Sequence, residues 1–531
     1  MENPVSWLAT EAPDYRQRES TIHEVAEKLS EALLGKEFVS NDPEILSAYS
    51  RDFTITPQRR PNVVVLPCST EDVQQIIRIA NTYRVPVYVL TSGFNHAGSC
   101  IARRGGIMVD LKRMNRILRI DEESMTATFE PYVRIAVLYE ECNKRFAAED
   151  IMLRPANAIT YGSACMMSNV LSGGVAFIAL KSGSHAETVV SMTFVTPEGE
   201  ILKTGPSAIP NVGDVPVLGP GPDVGGMFLG AEGNFGICTE MTLKLFTENP
   251  WPRDKTFLLQ HVDEQEEGLK DVADLFYAVS RDNFAQALYK GSNRHSAQIA
   301  AASDQDVEIL IQSLPATIIY CVLTGLDEEE VEIKKRHLVE ILERDGKFVE
   351  MPEIAKELFF ETISKTEEEI NRCLVKRCYT GPGRVGRWKG SFQWMAYTIK
   401  MENAVEFERK FRAIVNRHWI PTDHYGSHLA TTTETALQGP YQYGRTVMLE
   451  YDFFYDQGNP EEVKRATVVY DRLHRMMIES GAISCKVVSR SLELQMPQLG
   501  EYFRICKRLK KAMDPTGVMS PDTMPISEDY I

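Results

Sequence analysis

The stretch DVGGMFLGAEGNFGICTEMTLKL, residues 223–245, contains the pattern on which the predicted fold depends. Three glycines lie within the seven residues 230–236, and glycines at this density let the backbone adopt positive φ angles or approach a ligand closely. The alternating run at 239–245 predicts a strand directly after them. This order predicts a tight corner whose peptide N–H groups can meet a phosphate or a polar heterocycle. A short glycine pattern alone is equally typical of an ordinary loop.

Upstream of this corner, two apolar runs predict strands joined by a helix. The run NVVVLP, residues 62–67, has the continuous valines of a strand buried on both faces, and a second run of this kind, PVYVL, spans residues 86–90. Between them, apolar residues repeat at helical spacing from Val73 to Ala80. A strand, a helix and a strand in this order predict a parallel pair with a right-handed crossover.

Two polar segments follow predicted elements at positions suited to ligand binding. The first, TSGFNHAGS at 91–99, comes directly after the second strand, and its hydroxyl and backbone donors are the groups that a pyrophosphate requires. The second comprises PANAITYGS at 155–163 with Ser168, Asn169 and the turn at 172–174. Each segment alone is also typical of a polar turn, so the assignment depends on the order in which the segments occur.

Length, charge and cysteine usage narrow the class of protein. The chain has 531 residues, enough for two or three domains, and a formal net charge of −16, which argues against nucleic acid or an anionic membrane as the main partner. The ten cysteines contain no CxxC pair and predict reduced thiols. The sequence shows no signal peptide, and no apolar run approaches the roughly 20 residues of a membrane helix. A cytoplasmic location is therefore expected.

In unbroken order, residues 20–246 resemble the FAD-binding domain of the vanillyl-alcohol oxidase and p-cresol methylhydroxylase family. The corner GAEGNFGI corresponds to the family's glutamate-glycine-x-x-glycine-isoleucine segment, and the hairpin at 183–202 matches the one that follows the second loop. The resemblance implies an α+β fold with a two-subdomain FAD-binding domain at 20–246 and an α+β cap domain with an antiparallel sheet at 247–490. Residues 491–531, which include the ending DPTGVMSP, are expected to return to the FAD-binding domain.

FAD, held without a covalent link, is the cofactor that the resemblance implies. Asn95, next to His96, aligns with the histidine that anchors the flavin in some relatives. The stretch around Trp388, near which other relatives anchor the flavin from the cap, has no histidine or tyrosine. The expected cofactor-binding residues are Leu90, Thr91, Ser92, Gly93, Phe94, Asn95, His96, Ala97, Gly98, Ser99, Pro155, Thr160, Gly162, Ser163, Ser168, Asn169, Glu232, Gly233, Gly236, Ile237 and Lys486.

Four residues are candidates for the catalytic chemistry. Lys486 falls where phenol oxidases of the family place an arginine near the N1 edge of the flavin, and Tyr161 lies in the second loop. His185 either faces the flavin or caps its own loop, and the cap is favoured. Arg387 belongs to a basic cluster at 384–389 that is either a clamp for an anionic or aromatic substrate or a solvated strand edge.

No metal is expected. His424 and His428 lie four residues apart, but Gly426 between them argues against the helix that would bring two such histidines together. The glutamate-histidine-glycine motif of the related D-2-hydroxyacid dehydrogenases does not occur at 480–486. The general base is left open among Tyr161, His185, His424 and Tyr451.

The resemblance implies an FAD-linked oxidase or dehydrogenase that oxidises an alcohol or an activated, benzylic-type C–H bond of a small aromatic substrate by hydride transfer to flavin N5. Cys485 and Gly98 stand where the phenol oxidases have tyrosines that grip a phenolate, so the substrate does not carry over. Alternatives are an enzyme like the D-2-hydroxyacid dehydrogenases and a redox-neutral transferase like the ether-lipid (alkylglycerone-phosphate) synthase. A homodimer is expected, and an electron-acceptor protein is left open as a partner.

Overall fold

The structure, a computed structural model, combines β-sheets with helices that pack on them. It describes residues 19–33, 35–94, 98–146, 152–156, 158, 160, 162–176, 178–215, 219–249, 252–263, 268–293, 309, 311–362, 391–419, 436–441, 443–484, 489–524 and 526. Within these residues the chain forms three sheets, two in the amino-terminal lobe and one in the region expected to form the cap, which gives the predicted α+β fold. No helix in these ranges is long and apolar enough to cross a membrane, and their cysteines form no disulfide.

The elements are numbered in chain order. The helices are α1 (Glu19–Ala32), α2 (Pro43–Ala48), α3 (Thr70–Tyr83), α4 (Ile135–Arg145), α5 (Met166–Leu171), α6 (Ala179–Ser182), α7 (Leu269–Asp282), α8 (Glu328–Asp345), α9 (Glu353–Thr362), α10 (Ala404–His418), α11 (Pro460–Glu479) and α12 (Ser489–Met513). The strands are β1 (Val39–Ser40), β2 (Val63–Val65), β3 (Val87–Leu90), β4 (Ile107–Asp110), β5 (Ile117–Asp121), β6 (Thr126–Phe129), β7 (Met152–Pro155), β8 (Val189–Val195), β9 (Ile201–Lys203), β10 (Ile237–Glu248), β11 (Asp254–His261), β12 (Ala285–Ser292), β13 (Thr317–Thr324), β14 (Phe348–Glu350), β15 (Ser391–Lys400), β16 (Ala436–Tyr441), β17 (Thr446–Tyr455) and β18 (Ile483–Ser484).

The first sheet contains the predicted strand–helix–strand unit, β2–α3–β3. Ser69 caps α3 by accepting a hydrogen bond from the N–H of Asp72 over 3.1 Å, and the apolar repeat from Val73 to Ala80 is buried. The sheet order is β1-β2-β4-β3. β2 and β3 are parallel, as the sequence predicted, but they do not pair with each other, because each pairs with β4. The reason is β4, whose four residues are all buried and which pairs on both edges.

The second sheet is built around β10, the strand that follows the glycine corner. The strand runs from Ile237 to Glu248, which confirms the strand predicted at 239–245 and extends it at both ends. Its 12 residues pair with β6, β7 and β8, all antiparallel. The corner therefore feeds the central strand of the lobe, and its position is fixed by three neighbours.

The third sheet has eight strands in the order β14-β11-β13-β12-β16-β17-β15-β18, and every pair in it is antiparallel, as predicted for the cap. One face is covered by α7, α8, α10 and α11, whose apolar side chains share a core with Leu449 of β17. On the opposite face, Ala396 and Met448 pack against Val175 and Ala179 of the amino-terminal lobe. This second face is therefore the one that meets the amino-terminal lobe.

The carboxy-terminal segment after α12 returns to the first sheet. The N–H of Val87 donates to Val518 O and the N–H of Ser520 donates to Val87 O, both over 2.8 Å, so the segment adds a short parallel bridge to the edge of β3. Lys510 holds this return: its buried ammonium group lies 2.8 Å from Asp514 and donates to Met519 O over 2.7 Å. The same group donates to the carbonyl oxygen of Asn234, in the glycine corner, over 2.9 Å.

Lys510→Met should destabilise the protein by roughly 3–5 kcal/mol, because it removes one partner of a buried ion pair and leaves the Asp514 carboxylate buried. Urea unfolding followed by circular dichroism measures the loss. Lys511→Met is the matched control, since Lys511 is exposed and substitutions at such positions usually change stability by no more than about 0.5 kcal/mol. Equal stabilities of the two variants would contradict the role given to Lys510.

Candidate functional site

Two adjoining cavities lie in the amino-terminal lobe, where three of the predicted segments meet. The first has a volume of about 110 Å³ and the second of about 50 Å³. They share Thr91, Cys100, Ser168 and Ser172 in their walls and so lie side by side, and together they are called the cleft. The walls come from the loop after β3, the region around α5 and the corner before β10.

Most of the described residues that the sequence predicted for cofactor binding line this cleft. They are Thr91, Ser92, Gly93, Phe94, Ser99, Thr160, Ser168, Asn169, Glu232, Gly233, Gly236 and Ile237. The predicted residues that the cleft brings together are thus up to 146 positions apart, from Thr91 to Ile237 (237 − 91). Asn95, His96, Ala97 and Lys486 lie outside the described residues.

Five predicted residues do not line the cleft. Pro155 ends β7 and its carbonyl oxygen accepts a hydrogen bond from Tyr139 over 2.6 Å. Leu90 packs in a small core beside the first sheet, Gly98 lies against Thr56, and Gly162 accepts a backbone hydrogen bond from α4. Ser163 is exposed. Leu90 and Pro155 thus lie at strand ends, and the other three lie in loops outside the cleft wall.

Two glycines of the corner lie so close to other parts of the protein that a side chain at either position would clash. Gly236 has φ 138°, and a Cβ atom there would lie 2.5 Å from Val195 O of β8. Gly233 has φ 78°, and a Cβ atom there would lie 2.6 Å from the hydroxyl oxygen of Ser520. Both conformations suit glycine alone. The sequence predicted that the backbone of the corner comes close to a ligand. The structure shows that it also comes close to β8 and to Ser520.

Several wall residues were missed by the sequence reasoning. Ser520 belongs to the carboxy-terminal return, whose contact with the lobe was predicted without any side chain being placed in the site. Cys165 lies in the wall of the second cavity, and its N–H donates to the Ser92 hydroxyl oxygen over 3.2 Å, which joins the first two loops. Phe194 and Phe228 stack with ring centroids 3.9 Å apart and form an apolar wall. Only a known strand order would have revealed them.

The segment 52–56 does not line the cleft, but it joins the third sheet, called the cap sheet below, to the loop after β3. Gln457 donates to the carbonyl oxygens of Asp52 and Thr54 over 2.8 and 2.7 Å, and the Tyr455 hydroxyl group donates to Phe53 O over 3.0 Å. On its other side the segment meets the predicted pyrophosphate loop, where Thr56 occupies the space that a side chain at Gly98 would need. The position of the cap is thereby linked to that loop.

His185, the only described residue among the four catalytic candidates, is 1% exposed and absent from the walls of both cavities. Its Nδ1 lies 2.7 Å from the side-chain amide of Asn169, and its Nε2 lies 3.2 Å from Ala156 O. Burial lowers the pKa of His185 from 6.5 to about 4, so the ring is neutral at physiological pH. It opens a short 3-10 helix with a capping box between Ser184 and Glu187. This placement fits the structural role that was favoured.

The other catalytic candidates are not placed by the structure. Lys486, Tyr161 and Arg387 lie outside the described residues, as does the rest of the basic cluster at 384–389, and their roles stay predictions. Tyr451, considered as a base, lies on the helix-covered face of the cap sheet, stacks on Phe411 at 3.3 Å and donates its hydroxyl proton to Glu408. Burial raises its pKa further, so it is not available to the cleft.

Metal binding finds no support in the described part of the chain, which contains no group of three or more His, Cys, Asp or Glu side chains suited to hold an ion. His424 and His428 lie outside that part. The donors around the cleft are instead hydroxyl groups and backbone N–H groups. Glu232 is the one formally charged residue in the described walls. Such a donor set suits a phosphate-containing, heterocyclic ligand.

Fold and cleft together match a known class. Residues 61–205 match a family model described as an FAD binding domain. FAD also fits the cleft, because positive-φ glycines and hydroxyl groups of the three loops line its two adjoining cavities. The protein is therefore an FAD-dependent oxidoreductase, as the resemblance implied.

Comparison with individual proteins narrows the class further. The chain is 22% identical over 516 residues to the flavoprotein subunit of 4-cresol dehydrogenase (hydroxylating) from Pseudomonas putida, covering 92% of this chain and 93% of that one. It is 29% identical over 230 residues to the glycolate oxidase subunit GlcD of Bacillus subtilis, covering 43% and 46% of the two chains. A crystal structure of p-cresol methylhydroxylase with substrate bound has the same fold, with a TM-score of 0.80 at 20% identity over 96% of this chain and 97% of that one.

The corner glycines should differ in how well they tolerate a side chain. Gly230, with φ 74°, has no atom within 4 Å of the position that a Cβ atom would take, whereas Gly236 has Val195 O at 2.5 Å from that position. We expect Gly230→Ala to cost about 1 kcal/mol for its left-handed backbone, and Gly236→Ala to cost roughly 3 kcal/mol and to lower the FAD content. Urea unfolding and the flavin-to-protein absorbance ratio measure these effects. Equal losses would show that the Val195 contact does not constrain the corner.

The buried His185 should also make stability depend on pH. Its folded-state pKa of about 4 lies below the ordinary value of 6.5, so its contribution is complete above pH 6.5 and is lost as the pH falls towards 4. Between pH 7.5 and pH 5 the unfolding free energy should fall by about 2 kcal/mol more in the wild type than in His185→Gln. Urea unfolding at the two pH values gives this difference, and parallel pH profiles would rule out a neutral buried ring.

Proposed function

We propose that this protein oxidises an alcohol or an activated, benzylic-type C–H bond of a small aromatic substrate, and that it holds FAD without a covalent link. The observation that carries the proposal is the cleft formed by three loops, without a cationic side chain in its described walls, in a chain similar over nearly its whole length to a 4-cresol dehydrogenase flavoprotein subunit. When bound, FAD supplies the hydride acceptor. The protein binds and orients cofactor and substrate and excludes water.

Each of the three parts of the chain, residues 20–246, 247–490 and 491–531, has its own role in this proposal. The loops after β3 and before α5, together with the glycine corner, hold the cofactor through neutral donors. The carboxy-terminal return closes the first cavity through Ser520. Substrate would bind between this lobe and the face of the cap sheet that carries Ala396 and Met448, because that face meets the lobe.

Roles for individual groups follow from charge and position. Lys486 would stabilise negative charge at the N1 edge of the flavin, and Arg387 would hold an anionic or aromatic substrate. Tyr161 is retained as a candidate base. Strand alternation puts Glu450 on the same face of β17 as Met448, which adds a carboxylate on the lobe-facing side of the cap that the sequence reasoning did not consider.

Oxidation of a small 2-hydroxy acid is the second candidate function. It is favoured by the similarity to a glycolate oxidase subunit over 230 residues, where the identity of 29% is higher than in the full-length match. That similarity spans less than half of either chain, whereas the similarity to the 4-cresol dehydrogenase subunit spans more than nine tenths of both. A homodimer, a cytoplasmic location and an electron-acceptor protein as partner stay predictions from the sequence.

The function is tested on purified protein by anaerobic mixing with 4-alkylphenols, aromatic alcohols and 2-hydroxy acids. We expect a yellow protein that releases intact FAD on acid precipitation, and loss of the oxidised-flavin absorbance with an aromatic substrate, together with an oxidised product found by mass spectrometry. Flavin that stays with the precipitate would overturn the non-covalent link. Bleaching by 2-hydroxy acids alone would establish the second candidate, and bleaching without an oxidised product would favour the redox-neutral transferase.

The same assay tests whether Lys486 stabilises the negative charge that develops at the N1 edge of the flavin. Lys486→Met should slow flavin reduction by about 10²–10³-fold, the usual effect of removing one charge-stabilising contact, while the FAD content stays unchanged. Lys511→Met, at an exposed position, serves as the control for loss of a positive charge. A reduction rate within about twofold of the wild type would exclude Lys486 and direct the search to Arg384 and Arg387.

A further inference from the structure

His185 is a buried histidine that makes no direct contact with the cleft. The backbone N–H of His185 donates to Gly174 O over 3.2 Å, and its backbone carbonyl oxygen accepts from the Thr188 hydroxyl group over 2.7 Å. Backbone and ring are thus both fixed from outside the cleft. The ring touches the side chain of Asn169, which does line the second cavity. The side chain of Asn169 therefore links the His185 ring to the wall of the cleft.

The hydrogen-bond partners of the ring determine its tautomer. Ala156 O, 3.2 Å from Nε2, is a carbonyl oxygen and can only accept, so Nε2 must carry the proton. A neutral imidazole has one N–H, and Nδ1 is then left with a lone pair that can only accept. The group that faces Nδ1 at 2.7 Å must consequently be the donor end of the Asn169 amide, its NH₂ group.

The two ends of an amide have nearly the same shape, so hydrogen-bond chemistry decides which of them faces the ring. The structure places the amide oxygen, Oδ1, next to Nδ1, which would set an acceptor against the lone pair derived above. Rotation of the amide by half a turn resolves this conflict without moving any other atom. It also turns the carbonyl oxygen of Asn169 away from His185.

The amide is held in place on its other side by Gly174. A Cβ atom at Gly174 would collide with the terminal side-chain atoms of Asn169, and the N–H of Gly174 donates to Asn169 O over 2.8 Å. The amide therefore lies between the His185 ring and the bare Cα of a glycine. The amide atom that does not face His185 makes no hydrogen bond within the described residues, and Asn169 borders the second cavity.

We propose that His185 is a positioning residue, which orients the Asn169 amide so that its carbonyl oxygen faces the cleft and accepts a hydrogen bond from an N–H or O–H group of the bound cofactor. The inference rests on the proposed function for the identity of that cofactor. An acceptor at this point complements the hydroxyl and backbone donors around it, since FAD carries N–H and hydroxyl donors as well as phosphate oxygens. The pKa lowered by burial keeps the ring neutral, and so keeps the orientation constant, above about pH 5.

The tautomer can be measured on FAD-free protein, independently of any activity. Protein labelled with ¹⁵N-histidine contains ten histidines, and the signals of His185 are those missing from His185→Gln. We expect ¹H–¹⁵N correlation spectra to show the Nε2–H tautomer, unchanged between pH 8 and pH 5.5. A ring protonated at Nδ1, or a titration within this range, would overturn the proposal. Asn169→Asp supplies the reference, because a carboxylate can only accept and should force a proton onto Nδ1.

The effect on the cofactor is measured as the FAD dissociation constant, by fluorescence titration of the FAD-free protein. His185→Phe keeps a ring but removes both hydrogen bonds and should weaken FAD binding by about tenfold or more, whereas His185→Gln, which can still donate and accept, should stay within about threefold. His23→Phe, the same change at an exposed position of α1, is the matched control. Equal affinities for the Phe and Gln variants would overturn the positioning role. A wild-type protein that binds no FAD would instead refute the proposed function, while the tautomer measurement would still stand.

Discussion

The close approach of Gly236 to the carbonyl oxygen of Val195 is the contact on which the rest of the amino-terminal lobe depends. It fixes the point at which the chain leaves the glycine corner and enters β10, and β10 in turn pairs with β6, β7 and β8. A side chain at Gly236 would push the corner away from β8, where the pairing of β10 with β8 begins at Ile237. The corner is also a wall of the cleft. One steric constraint therefore sets both the central strand and the position of a ligand-facing backbone.

The cleft is closed by chain segments that come from distant parts of the sequence, and buried polar groups hold each of them. Lys510 joins the carboxy-terminal return to the corner through Asn234 O, and Arg104 pairs with Asp522 at 2.5 Å behind it. On the other side, the segment 52–56 links the cap sheet to the loop after β3 through Gln457 and Tyr455. A movement of the cap would therefore also displace the loop that is predicted to hold a pyrophosphate. This arrangement gives the cap a mechanical route to the cofactor site that does not pass through the substrate.

The sequence allowed prediction of those parts of the fold that are encoded locally. Glycine spacing located the corner, valine runs and helical periodicity located β2, α3 and β3, and polar loops located part of the cleft wall. The order β2-β4-β3 could not be predicted, because nothing in residues 62–90 shows that β4, which comes later in the chain, inserts between the two strands. Ser520 and the contact between Thr56 and Gly98 were missed for the same reason, since each depends on residues that are far apart in the chain. His185 is the opposite case: a histidine near a predicted loop is typical of a site, and only its burial showed that it acts from behind the wall.

The electrostatic character of the cleft follows from these placements. The described walls contain hydroxyl groups, backbone donors, apolar side chains and a single acidic residue, Glu232, and His185 behind them is neutral because burial lowers its pKa to about 4. A diphosphate bound in such a place is stabilised by dipoles of the loops rather than by cationic side chains. Dipoles fixed by strand pairing do not change during a reaction, so they can hold a cofactor equally well in both of its redox states. A group that stabilises the reduced flavin more than the oxidised flavin must therefore lie elsewhere. Lys486 and Arg387 are predicted on the cap side of the cleft, and a cation there would have the largest effect on the redox step.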